Sequence, residues 1–93
     1  VTRPSRTARA IRKARRAVPL TQAQLADGAG VQRRTAERWE SPPPHNVIPS
    51  TDNVRSIAAV LGVDFLELEH LAQIERFKRR ALGRGQDQDG GGR

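Results

Sequence analysis

Apolar residues recur at intervals of three and four along most of the chain, the spacing that gathers side chains on one face of an α-helix. Ala8, Ile11 and Ala14, with Arg15 on the same side, predict a first helix from about Ser5 to Ala17, and Pro19 prevents it from running on. Leu25, Ala26 and Ala29 predict a second. Thr21 opens it, its hydroxyl placed to accept from the Gln24 N–H, and Gly30 stops it because a sharp turn needs a residue that tolerates positive φ. Gly28 stands inside this helix at a cost of about 1 kcal/mol relative to alanine, and nothing in the sequence offsets it. Ala36 and Trp39 predict a third helix over Gln32–Glu40, with Val31 at the bend. Ser41-Pro42-Pro43-Pro44-His45-Asn46 then reads as a stiff, non-helical loop.

Pro49-Ser50-Thr51 opens a fourth helix, with Val54, Ile57, Ala58 and Leu61 as its buried face and Gly62 at its end. Asp64 caps a fifth, which carries Phe65 and Leu68 and continues through Leu71, Ile74 and Phe77 to about Leu82. No segment alternates as a strand would. The expectation is an all-α domain of five helices: a flexible basic arm at 1–5, a folded domain at 6–70, an extension of the last helix at 71–82 and a disordered tail at 83–93, where no apolar residue occurs.

Ninety-three residues allow one domain. There is no cysteine, which excludes disulfides, thiolate metal sites and a cysteine nucleophile. His45 and His70 stand apart from each other and from any carboxylate cluster, so the expectation is no metal, no cofactor and no catalytic centre; His45 reads as a loop residue and His70 as a solvated helix residue. The net charge of +7 and a pI near 11.6 favour a polyanionic partner. No apolar run approaches the roughly 18 residues that span a bilayer. The first sixteen residues carry seven positive charges and no negative one, as a transit peptide does, but they merge into a periodic helix with a core face, and targeting is the weaker reading.

On the third helix Arg33, Arg34, Glu37 and Arg38 fall within about 140° of one another, opposite the apolar face. Three arginines on an exposed face are more often simply solvated. Their setting changes that reading. LTQAQLADGAGV (20–31), RRTAERWE (33–40) and PSTDNVRSIAAVLGVDFLEL (49–68) follow one another in an order and spacing that resemble the lambda-repressor-like, Cro-type helix-turn-helix proteins of the XRE family, from Ile11 to about Leu68. The resemblance implies a five-helix lambda-repressor-like DNA-binding domain, here with an extended C-terminal helix. It implies a sequence-specific transcriptional regulator, a repressor of operator DNA, with double-stranded DNA as partner. Base-reading side chains fall at Gln32, Arg33, Arg34 and Arg38, where a guanidinium can donate twice to guanine. Gln22 falls where a glutamine holds a phosphate, and Thr21, Thr35, Arg3 and Arg6 are further phosphate candidates. Arg15 and Glu40 match an internal ion pair. Trp39, on the apolar face, reads as a core anchor rather than a base-stacking platform.

Two departures stand out. The Ser41–Pro49 loop is longer and richer in proline than is usual in the family, and it offers only His45 and Asn46 where basic residues often meet phosphate. The stripe of Phe65, Leu68, Leu71, Ile74 and Phe77 on the last helix suits packing partly on the core and partly on another subunit, its Leu71–Phe77 part suiting a homodimer. Arg76, Lys78, Arg79 and Arg80 suit the helix dipole or a second phosphate patch. Two alternatives remain: a protein-interaction or antitoxin-like module that also touches DNA, and charge-driven, non-specific nucleic-acid binding. No nucleophile–base pairing or phosphate-cradling glycine loop suggests an enzyme, and no small-molecule or membrane partner is evident. The expected location is the cytoplasm of a bacterial or phage-infected cell, at the nucleoid when bound.

Overall fold

Four of the five helices begin where a short polar side chain replaces a missing backbone acceptor. Ser5 Oγ accepts from the Ala8 N–H at 3.1 Å to start α1 (Arg6–Ala17), and Ser50 Oγ accepts from Asn53 at 3.2 Å to start α4 (Thr51–Leu61). Thr21 and Gln24 form a reciprocal capping box at the head of α2 (Gln22–Ala29). Asp64 Oδ1 accepts from Leu66 N at 2.8 Å at the head of α5 (Phe65–Gly91). Gln32 precedes α3 (Arg33–Glu40) without a side-chain cap, so α3 starts one residue later than its apolar spacing suggests. This computed structural model describes residues 4–81 with their side chains and the helical backbone onward to Gly91. Arg3 and the tail expected at 83–93 fall outside the residues described with side chains. Among the described residues there is no strand.

The fold is all-α, as the periodicity predicts. α2 packs on α3 and α4, α4 on α5, and α1 closes the assembly against α3, α4 and α5. Ile11, Leu25, Ala36, Trp39, Val54 and Ile57 are at most 1% exposed and form the centre, with Leu61 at the end of α4 and Leu68 and Ala72 on α5 extending it. Gly30 has φ +74°, and its N–H donates back to the Ala26 and Asp27 carbonyls at the end of α2, so the chain reverses into α3 within a few residues.

Gly28 also has its reason. A Cβ there would lie 2.9 Å from Val60 Cγ2 and 3.2 Å from Cγ1. The glycine lets α2 approach α4 more closely than alanine would, a relation between helices that the sequence does not reveal. Thr7, 1% exposed, and Asn46, 4% exposed, are buried polar residues that the pattern of apolar positions does not predict.

Candidate nucleic-acid interface

Burial of Ala36 and Trp39 orients α3 so that Arg33, Arg34 and Arg38 all face solvent. Arg33 Nε donates to Glu37 Oε2 at 2.9 Å across one turn, with both side chains well exposed. Such a pair contributes little to stability and holds the guanidinium loosely. Arg34 and Arg38 form no ion pair with another described residue. Gln32 is exposed at the helix head with its amide free of capping duty, and Thr35 is half-buried beneath the arginines.

The head of α2 adjoins this face. Thr21 Oγ1 accepts from Gln24 N at 3.1 Å, which still leaves the hydroxyl proton to donate. The Gln22 and Ala23 N–H groups are first-turn donors with no intrahelical acceptor and suit an anion. Gln22 is half-buried and its Nε2 donates to Glu40 Oε1 at 3.3 Å, which ties the side chain to the end of α3.

Glu40 is the hub beneath. Arg15 Nε donates to Glu40 Oε2 at 2.7 Å and Nη2 to Oε1 at 2.9 Å, while Nη1 donates to the Leu20 carbonyl at 2.7 Å. Side-chain exposure is 12% for Arg15 and 3% for Glu40. Hydrogen bonding to Glu40 raises the Arg15 pKa above its ordinary value against the opposing effect of burial. One forked pair therefore connects α1, the α1–α2 turn and the last residue of α3.

The predicted phosphate candidates do not all gather here. Arg6 lies at the other end of α1, in a cleft with Leu71, Ile74, Glu75 and Lys78. Arg12, two helical turns along, instead lines a polar cleft with Gln22, Glu37, Glu40 and Ser41. The signal for Arg12 was present in the sequence: it lies three residues from Arg15 and thus one turn away on a neighbouring face.

The loop after α3 supplies no phosphate ligand from Asn46, which turns inward and donates to the Arg38 and Trp39 carbonyls. His45 and His70 are both exposed. Two of the arginines read above as suiting the helix dipole or a second phosphate patch bond within the chain, Arg76 half-buried and Arg79 still exposed. Arg76 binds Glu69 and the Pro49 carbonyl, and Arg79 binds Asn46. Lys78 and Arg80 are exposed.

Among the described residues no group of three or more histidine and acidic side chains is placed to hold a metal ion, and no helix is long and apolar enough to cross a membrane. The helix-turn-helix family model matches residues 11–68, from the middle of α1 to the first turn of α5. No curated protein and no solved structure matches the chain. With more than half of its length matched, and its helices in the corresponding order, the chain belongs to the helix-turn-helix family of lambda-repressor-like, XRE-type DNA-binding transcription regulators.

Proposed function

We propose that the protein is a repressor that reads a defined operator through α3 in the major groove. Gln32, Arg33, Arg34 and Arg38 meet base edges. Thr21, Gln22, the amides at the head of α2, Thr35 and Arg12 fix register on phosphates. Arg3 and Arg6 extend the positive potential along the N-terminal arm and speed encounter with DNA. The observation that carries this reading is the division of α3: Ala36 and Trp39 are fully buried while three arginines project from the opposite side, next to the capped head of α2.

A homodimer completes the reading. Leu66, Ile74 and Phe77 are 71, 39 and 73% exposed on α5, and two copies joined there would present two α3 helices to half-sites about 34 Å apart. The same exposed side chains favour the second reading, an antitoxin-like module whose α5 binds another protein. Competition between a selected duplex and random duplex of equal length separates these readings. A repressor binds the selected duplex at least about 10³-fold more tightly, whereas a pure interaction module shows no preference and any affinity it has is charge-driven.

A further inference from the structure

The loop that follows α3 is held from its far side by α5, and the contacts run in series. Arg79 Nη1 donates to the Asn46 carbonyl at 2.8 Å, and Nη2 donates to Asn46 Oδ1 at 2.6 Å. Asn46 points its Nδ2 group the other way, donating to the Arg38 carbonyl at 3.1 Å and the Trp39 carbonyl at 3.2 Å. These carbonyls lie in the last turn of α3, where the helix's own cap offers only the Ser41 N–H, to Arg38 O at 3.4 Å. The Val47 N–H adds a third bond, also to Arg38 O, at 3.0 Å.

The Asn46 amide has one orientation that satisfies both neighbours. Its oxygen must face the guanidinium and its nitrogen the two carbonyls. The charge-assisted bond from Arg79 favours that orientation and disfavours the flipped one, which would set oxygen against oxygen. One turn earlier on α5, Arg76 grips the far end of the same loop through Pro49 O at 2.9 and 3.2 Å. Both arginines lie beyond residues 11–68, outside the segment shared with the family.

We infer that Arg79 is a positioning residue for DNA reading: through Asn46 it sets the final turn of α3 and hence the direction in which Arg38 leaves the helix. The inference rests on the proposed reading by α3, and it makes the extended part of α5 a component of the recognition apparatus rather than an appendage.

The test compares the wild type with Arg79→Ala, Arg79→Lys and Asn46→Asp on the duplex that the wild type selects, over a range of salt concentrations. Asn46→Asp keeps an oxygen for Arg79 but faces the α3 carbonyls with another. Arg79→Lys keeps the charge but loses the fork. Each variant should bind about tenfold more weakly, with the slope of log affinity against log salt unchanged, and Arg79→Ala should add little on top of Asn46→Asp. Amide exchange in the last turn of α3 should quicken in every variant of the free protein. Unchanged affinity overturns the inference. So does a slope reduced by about 0.9, the mark of a lost phosphate contact, or unchanged exchange at the end of α3. Should Arg79→Ala fail to fold, Arg79→Lys and Asn46→Asp carry the same comparison. A wild type that selects no duplex defeats the proposed function instead, and the exchange measurement then decides the relay by itself.

Discussion

Arg15 and Glu40, 25 residues apart in sequence, meet side by side through two bonds of 2.7 and 2.9 Å in a nearly solvent-free setting. The pair joins the start of the chain to the end of the proposed recognition helix. Removing one partner leaves the other charged and poorly hydrated, so Arg15→Ala should cost about 3 kcal/mol. Thermal unfolding should register a fall of roughly 12–24 °C in a domain of this size. A change of only a degree or two would place the pair among surface bridges that contribute little.

Gly28 invites a substitution that helix propensity alone would recommend. Alanine there should gain about 1 kcal/mol, yet its Cβ would meet Val60 Cγ2 at 2.9 Å. A β-branched side chain in a helix has little freedom to turn away. Gly28→Ala alone should therefore be neutral or destabilising, and Gly28→Ala with Val60→Ala should be more stable than Val60→Ala alone. Denaturant midpoints of the four proteins provide the check, and a gain from Gly28→Ala in the wild-type background contradicts the close approach.

These two contacts mark how far the sequence is legible. Helix starts depend on neighbours three residues away, so Ser5, Thr21, Ser50 and Asp64 can be read directly, as can the core face of α3 from Ala36 and Trp39. The Gly28–Val60 approach and the Asn46–Arg79 contact depend on distances between elements 32 or 33 residues apart, and local spacing carries no trace of them. Glu69 and Arg76 are an intermediate case. Seven residues is two helical turns, so their shared face was available, but the shelter given by Pro49 and Thr51 was not.

That shelter makes Glu69 sensitive to acid. Hydrogen bonding from Arg76, aided by Thr51, the Arg76 charge and Gln73, outweighs burial and lowers its pKa from 4.5 to about 2. A carboxylate with a depressed folded-state pKa contributes fully above its unfolded value and loses that contribution as protonation reaches the folded state. The Tm difference between wild type and Glu69→Gln should thus be steady above about pH 4.5 and shrink as the pH falls toward 2. A difference independent of pH across that window contradicts the pairing.

Phe77, 73% exposed, contributes little to the monomer's core. Phe77→Glu should shift stability by less than about 0.5 kcal/mol while converting a dimer to a monomer in sedimentation. A wild type that is monomeric both free and on DNA rules out the α5 dimer and leaves the single-domain reading of α3 standing.

The central claim concerns α3, and selection from random duplex DNA by the wild type and by Arg34→Ala tests it most directly. Arg34 is exposed and forms no ion pair with another described residue, so its loss should leave the fold intact. The account predicts that the wild type enriches a two-fold symmetric site, and that Arg34→Ala relaxes preference at one base position in each half-site, at a cost of about 1–3 kcal/mol there. Equal weakening on every sequence, or no enrichment by the wild type, would contradict it.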